Sequence, residues 1–381
     1  LLSGVFKLPP GHLLEWKDGR HSVRRYWELP EPAAPPTRDD REAAEALRMH
    51  LRRAVQRQRV SDVPVGLFLS GGLDSSALLA EMALGAGAAD IRCYTASFPA
   101  EDNAYDQFTD DLPYARLVAR HFGVRLTEFE IRAEVAELLP RLLGYLEEPL
   151  GDPAVINTYL ISRQARQDGA IVLLSGQGAD ELLGGYRRHL APLWNARLGW
   201  LPQPARAVMR AAAERLPAGR PGRLGGVLRR LRKIWMPLDQ PPLEQFRQYC
   251  QWLSDEETNA LLAPDLVAQL GGRRPSDSTA EVLDRSPSPA LLDRMLYRDL
   301  KTFLPALNLT YTDKMGMAAS VEARVPYLDL ELAEFAWRLR PEQKIRGRRG
   351  KWLLREAMRG VLPEAGVRRP KTGFGAPVRQ W

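Results

Sequence analysis

The chain has 381 residues, 45% of them hydrophobic, enough to bury two or more cores, and no run reaches the roughly 18 apolar residues of a membrane span. Its two cysteines, Cys93 and Cys250, are too few for a disulfide framework and are not spaced as metal ligands, which makes the cytoplasm the default location. The 54 Lys plus Arg against 47 Asp plus Glu give a net +7. Clusters such as Arg229, Arg230, Arg232 and Lys233, or Arg346, Arg348, Arg349 and Lys351, suggest nucleic acid or phosphate, although solvated helix faces account for any single cluster.

The opening LLSGVFKLPPGHLLEWKDGR lacks an initiator methionine and the basic, apolar, small-residue order of a signal peptide, so the chain reads as cropped. Residues 1–30 alternate short apolar runs with PPG and KDG turns and end in RRYWELP, the pattern of the last hairpin of a β-rich unit. Residues 31–40 form a Pro-rich linker, after which Asp39 or Asp40 can cap the amphipathic helix REAAEALRMHLRRAVQRQ. Over residues 63–186, strand-like VGLFLS, IRCYTASF, VRLTEFEI and AIVLLSG alternate with helical SSALLAEMAL, LPYARLVARHF and INTYLISRQARQ. That alternation predicts an α/β fold, a doubly wound parallel sheet whose ligands bind at the carboxyl ends of the strands. Residues 191–290 read as a variable helical region with PAGRPGRLGG as a mobile loop, and residues 291–381 as a helical C-terminal part ending in RRPKTGFGAPVRQW. No repeat of solenoid length is present.

FLSGGLDSSALLA places a turn, Ser70, Gly71 and Gly72, after a strand and opens a helix at Asp74, Ser75 and Ser76. Glycines let the backbone wrap an anion, the helix start supplies unpaired N–H groups and the serines add donors, which together make a phosphate cradle. It is not a Walker loop, whose lysine and spacing are missing. A carboxylate inside a phosphate loop repels the ligand unless a divalent cation lies between them, so Asp74 predicts Mg²⁺. A second loop, LLSGQGADELLGGY from Leu173 to Tyr186, echoes the first. DNAYDQFTDD fits a solvated surface segment better than any metal loop, and the five histidines form neither a metal spacing nor a dyad with a nucleophile, which argues against covalent serine or histidine catalysis.

SGGLDSS resembles the pyrophosphate loop of N-type ATP pyrophosphatases, the adenine nucleotide alpha hydrolase-like (HUP-like) superfamily. Together with LSGQGADELLGGY, SVEARVPYLD, KWLLRE and KTGFGAP it makes residues 41–381 resemble the synthetase domain of glutamine-dependent asparagine synthetases. Residues 1–30, with LPPGHLL and RRYWELP, resemble the end of that family's glutaminase domain, whose cysteine nucleophile would lie upstream of Leu1. The resemblance implies an ATP- and Mg²⁺-dependent amidotransferase. ATP adenylates a carboxylate, aspartate first among them, ammonia from glutamine attacks the acyl-adenylate, and AMP and pyrophosphate leave. It implies that Asp74 and Asp180 hold Mg²⁺, that Lys351 in the K-x-x-L-R pattern contacts phosphate, and that the backbone at Leu69, Ala96, Ser175 and Gly176 contacts the nucleotide. Glu181 and Glu322 would orient the substrate's amino group or act near the acyl centre, with an Arg324 ion pair as the plainer role for Glu322. Other acceptors in such relatives are uronic acid sugars and peptide side chains. A tRNA-modifying pyrophosphatase-loop enzyme lacks the later motifs, and a non-catalytic adenylate binder sits poorly with Asp74, Asp180 and Lys351 together. Neither nucleic acid nor membrane is an expected partner, the upstream glutaminase domain is, and a homodimer is compatible with a sequence that fixes no oligomeric state.

One position departs from the family. Asparagine synthetases carry glutamate where this chain has Gln177, and β-lactam synthetases carry tyrosine. An amide has no accessible pKa and cannot be a general base. Three readings follow: Gln177 orients neutral ammonia arriving through a channel, another group such as Glu181 or Glu322 serves as base, or the acceptor differs from aspartate.

Overall fold

The structure, a computed structural model, describes residues 4–31, 34–84, 90–99, 111–131, 135–216, 228, 231–232, 234–369 and 371. The four strand-like runs of the α/β segment are strands β3 (Val65–Phe68), β4 (Arg92–Ser97), β5 (Arg125–Glu130) and β6 (Val172–Leu174). They pair in parallel, and β7 (Glu322–Arg324) completes a five-stranded sheet of order β5-β4-β3-β6-β7. The chain winds outward from β3 through β4 to β5, then returns to the other side of β3 with β6. The loops after β3 and β6 therefore diverge from neighbouring strand ends, the topological switch point at which sheets of this kind bind ligands.

β7 adds one short strand to residues 291–381, read from the sequence as a helical C-terminal part. It is three residues long, too short for a period to show, and forms through long-range pairing: Glu322 donates its N–H to Ile171 (2.8 Å) and Arg324 accepts that of Ser175 (2.8 Å). β1 (His12–Lys17) and β2 (Arg20–Arg25) form the expected hairpin, its turn made by Asp18 and Gly19 at φ 51 and 71, the left-handed pair of a tight two-residue turn.

The helices sort by the burial that their sequences encode. Asp40–Gln58 buries Ala43, Ala44, Leu47, Leu51, Ala54 and Val55 as one stripe and is capped by Asp39, which accepts the N–H groups of Arg41 and Glu42. Leu73–Ala83 is almost wholly buried, Ser75, Ser76 and Glu81 included. These two helices are also joined by charge: Glu81, 1% exposed, accepts from Arg48 at 2.7 Å and Arg52 at 2.8 Å.

The chain divides into two compact units, Leu1–Leu183 with Leu300–Trp381, and Gly184–Asp299. Among its described residues the second unit carries only helices, Arg187–Arg197, Gln203–Glu214, Pro242–Tyr249, Asp255–Leu261, Pro264–Gln269, Asp277–Asp284 and Leu291–Arg298. The segment PAGRPGRLGG lies outside the described residues. Inside this unit, fully buried Asp299 accepts from His189 (2.7 Å), Arg188 (2.9 Å) and Arg298 (2.9 Å).

Burial alone would raise the pKa of Asp299, but His189 and the two arginines outweigh it and hold the carboxyl at about 2. Because the native value lies below the unfolded one of roughly 3.9, this carboxylate stabilises the fold above that value and ceases to do so as pH falls through about 2. Asp299→Asn leaves two guanidinium groups without their anion and is expected to cost roughly 3–5 kcal/mol at neutral pH, read as a lower urea midpoint. An unchanged midpoint refutes a stabilising role for the cluster.

Candidate active site

After β3 the chain turns at Gly71, whose φ is 65 and whose missing Cβ leaves room for the backbone of Tyr114 and Ala115, 2.3–2.4 Å from where that atom would stand. Ser70 Oγ accepts the Gly72 N–H (3.3 Å) and lies 3.2 Å from Ser75 Oγ, while Gly72 starts the Leu73–Ala83 helix without a side-chain cap. The first N–H groups of that helix are therefore not taken up by a cap side chain. The second loop comes close: a Cβ on Gly176 would lie 3.0 Å from Asp74 Cβ and 3.1 Å from the Ser75 nitrogen. Gly178, at φ 90, packs where a Cβ would be 2.7 Å from the Leu328 side chain.

This approach brings Asp74 and Asp180 to a shared cation. Lys351 Nζ is 2.5 Å from Asp74 Oδ2 and 2.6 Å from Asp180 Oδ1, and Lys371 Nζ is 2.6 Å from Asp180 Oδ2. Lys351 is 4% exposed and holds φ 52, ψ 39 as the residue preceding the Trp352–Ala357 helix; a left-handed non-glycine costs about 1–3 kcal/mol and persists where its surroundings over-determine it. Here the Lys351 N–H donates to the Leu183 carbonyl at 3.1 Å. Burial alone would raise the pKa of Asp180, but Lys351 and Lys371 hold its carboxyl well below the usual range. Burial would lower that of Lys371, but Asp180 and Asp74 keep it protonated above its ordinary value.

The surrounding motifs support these groups. Tyr327 of SVEARVPYLD, 1% exposed, donates its hydroxyl to the Asp74 carbonyl at 3.2 Å, and burial among the Asp74, Asp180 and Glu81 carboxylates holds its phenol proton on. Asp329 of the same motif caps the Leu330–Arg338 helix. Arg369 donates to the Ser70 carbonyl (2.9 Å) and to the Asp111 carboxylate, with its guanidinium 4.2 Å from the centre of the Tyr114 ring. Arg355 of KWLLRE reaches the carbonyls of Gly350 (3.1 Å), Arg369 (3.3 Å) and Val367, tying the turn that carries Lys351 to the segment that carries Arg369.

Gln177 and Glu181 share a polar wall of the same unit. Gln177 Nε2 donates to Thr312 Oγ1 (2.7 Å), the Tyr311 hydroxyl (3.3 Å) and the Asn308 carbonyl (3.4 Å), and Asn308 Nδ2 donates to Glu181 Oε1 at 3.0 Å. Asn308 belongs to Asp299–Leu309, an 11-residue π-type stretch of the kind that often marks functional sites. Leu69 donates its N–H to Tyr94 O at 2.9 Å and is buried, Ser175 is buried, and Ala96 is half-buried on β4 opposite Phe129.

Glu322 is not brought to this cluster. Its carboxylate is bound by Arg324 at 2.7 Å, stands half exposed, and is aligned with Val172 at the start of β6, the end away from Ser175. Arg324 also donates to the Gln58 and Val60 carbonyls, so the pair ties β7 to the end of the first helix. The structure thereby favours the plainer role over a place near the acyl centre. Of DNAYDQFTDD, residues 102–110 lie outside the described residues and only Asp111 is described, and of KTGFGAP only Lys371 is described. Among the described residues no group of three or more His, Cys, Asp and Glu side chains is arranged to hold a metal, and no helix is long and apolar enough to cross a membrane.

The family model described as asparagine synthase matches residues 46–381. The chain belongs to the asparagine synthase family. It is 33% identical over 366 residues to a Mycobacterium tuberculosis protein named "Putative asparagine synthetase", glutamine-hydrolyzing, covering 94% of this chain and 52% of that protein. It is 30% identical over 322 residues to glutamine-hydrolyzing asparagine synthetase 1 of Bacillus subtilis, covering 84% and 48%, and 24% identical over 422 residues to the amidase chyE of Penicillium rubens, covering 99% and 59%. The chain therefore spans about half the length of the curated relatives it matches.

In this asparagine synthase family member, the lysine of KTGFGAP, quoted above only as part of a motif, reaches Asp180, and Arg369 had no sequence signal beyond its place in a basic run. Arg369→Ala removes a charged hydrogen bond to the Ser70 carbonyl and is expected to weaken ATP binding about tenfold or more while the circular dichroism spectrum is retained. Equal affinity in a calorimetric titration with Mg-ATP contradicts this role.

Proposed function

We propose that the chain is the synthetase part of an ATP-dependent amidotransferase that adenylates a carboxylate and joins ammonia to it, releasing AMP and pyrophosphate. The observation that supports this most directly is one buried ammonium, Lys351, facing an aspartate from each of two phosphate-type loops. Glutamine as the nitrogen source, through a glutaminase domain, is supported by the glutamine-hydrolyzing names of the relatives. Aspartate is the first choice of acceptor, and another carboxylate, a uronic acid sugar or a peptide side chain, is the second. We place the enzyme in the cytoplasm, in keeping with its free Cys93 and Cys250.

In this reading the phosphates of ATP lie over Ser70–Ser76 and the start of the Leu73–Ala83 helix, with backbone at Leu69, Ala96, Ser175 and Gly176 facing the nucleoside. The donors suit Mg²⁺: Asp74 and Asp180 are hard oxygen ligands on adjacent loops, and Asp74 Oδ1 is buried without a hydrogen-bond donor among the described residues. When bound, the metal neutralises charge on the departing pyrophosphate. Lys351 and Lys371, released in part from the carboxylates, turn to phosphate oxygens as negative charge grows there. The left-handed turn at Lys351 and the Arg355 tie hold that ammonium in place before substrate arrives.

Pyrophosphate release from Mg-ATP should require an added carboxylate, tested over aspartate, glutamate and uronic acids with ammonium salts. Release that RNA stimulates and no acid does would sink the synthetase reading. Asp74→Asn and Asp180→Asn are each expected to lower kcat roughly 10²-fold or more, about 3 kcal/mol of transition-state stabilisation, and to leave a weaker dependence on Mg²⁺ concentration. Near-native turnover in either variant rules out metal held by both loops.

A further inference from the structure

Two carboxylates and two ammonium groups from four places in the chain balance one another. Lys351 Nζ lies 2.5 Å from Asp74 Oδ2 and 2.6 Å from Asp180 Oδ1, and Lys371 Nζ lies 2.6 Å from Asp180 Oδ2. Three of the four carboxylate oxygens thus have an ammonium at contact distance. The Lys351 side chain is 5% exposed, that of Lys371 36%. A cation that bridges carboxylates of two loops does the work of a divalent ion with half the charge. A free divalent cation would have to displace that bridge, and its attraction to the two aspartates is offset by repulsion from two lysines at similar range. Mg²⁺ also sheds its water reluctantly, which makes such a displacement harder.

We propose that Lys351 and Lys371 hold the place of the metal. They keep Asp74 and Asp180 from taking up a free divalent cation, and they give up the carboxylates to a metal that arrives on a polyphosphate, whose oxygens offer the ammonium groups new partners. The inference rests on the ATP reading of this site and deepens it, because it makes metal and nucleotide depend on one another. Lys371, the more exposed and held through Asp180 alone of the two aspartates, is the first to turn away. Lys351 follows with its side chain only, since its N–H is bound to the Leu183 carbonyl and Arg355 grips the Gly350 carbonyl beside it.

The test needs no turnover. Manganese chloride, whose ion prefers the same oxygen ligands as Mg²⁺, is titrated into the chain without nucleotide, and the free ion is read by electron paramagnetic resonance. The native chain is expected to bind it weakly and Lys351→Met about tenfold or more tightly, since one positive charge beside the carboxylates is gone. Asp180→Asn added to Lys351→Met should remove that gain. Lys371→Met, which leaves the strained turn at 351 untouched, should tighten binding about threefold and decides the matter if Lys351→Met does not fold. Equal Mn²⁺ affinity in the native chain and the folded variants overturns the proposal. In calorimetry, an ATP analogue with a methylene between its α and β phosphorus atoms, added without metal, should bind Lys351→Met about tenfold or more weakly than the native chain. The two effects of one substitution have opposite signs, which a lysine needed only for folding does not produce; loss of both affinities overturns the proposal. If the analogue binds the native chain neither with nor without Mg²⁺, the ATP reading fails by itself, while the Mn²⁺ titrations still decide whether the lysines bar the ion.

Discussion

Two carboxylates brought together from separate loops repel one another, and the first unit is organised around the positive charge that offsets this. Lys351 stands between Asp74 and Asp180, and Lys371 reaches Asp180 from the other side. Neither lysine is adjacent in sequence to either aspartate, so charge balance requires the segments that carry Lys351 and Lys371 to fold back onto the two loops. The left-handed backbone of Lys351, the Arg355 contacts with Gly350 and Arg369, and the Arg369 grip on Ser70 are the means of that return. A buried ion cluster of this kind adds little net stability, since desolvation consumes most of the attraction.

The echo between SGGLDSS and SGQGADE follows from topology. β3 is the first strand laid down and β6 its neighbour on the other side, and the chain leaves them for opposite directions. Each strand end needs a sharp Ser-Gly turn for that reason, and each turn is followed by a helix start that carries an aspartate. Gly176 is without a side chain because the first loop passes at contact distance, and Gly71 because the Leu112–Phe122 helix does. The similarity in sequence records one geometric demand made twice.

Strands β3 and β6 were legible as apolar runs bounded by turn chemistry, β4 and β5 as runs rich in β-branched and aromatic residues, and the helices between them because their apolar residues recur on one face. The loops were legible because glycine, serine and aspartate each have few reasons to be there. What escaped has a common cause: β7 is three residues stabilised only by partners far along the chain, and Arg369, Tyr327, Asn308 and Thr312 act through contacts between segments roughly 130 to 300 residues apart. No local pattern encodes such contacts. Glu322 is the converse case: a carboxylate in a matched motif left two roles open in the sequence, and the ion pair with its neighbour Arg324 is the one the structure forms.

Gln177 joins these levels. Asp74, Asp180 and Glu181 already place three carboxylates around a region served by Lys351 and Lys371, and a fourth at 177 would add negative charge where ATP brings its own. The amide avoids that and is held by Thr312, Tyr311 and Asn308, neighbours outside the loop. A residue type that argues against copying the family's chemistry in the sequence is thus matched, in the fold, by a wall built to hold an amide. The departure at 177 belongs with Asn308 and Thr312 as one unit, and Asn308 also binds Glu181.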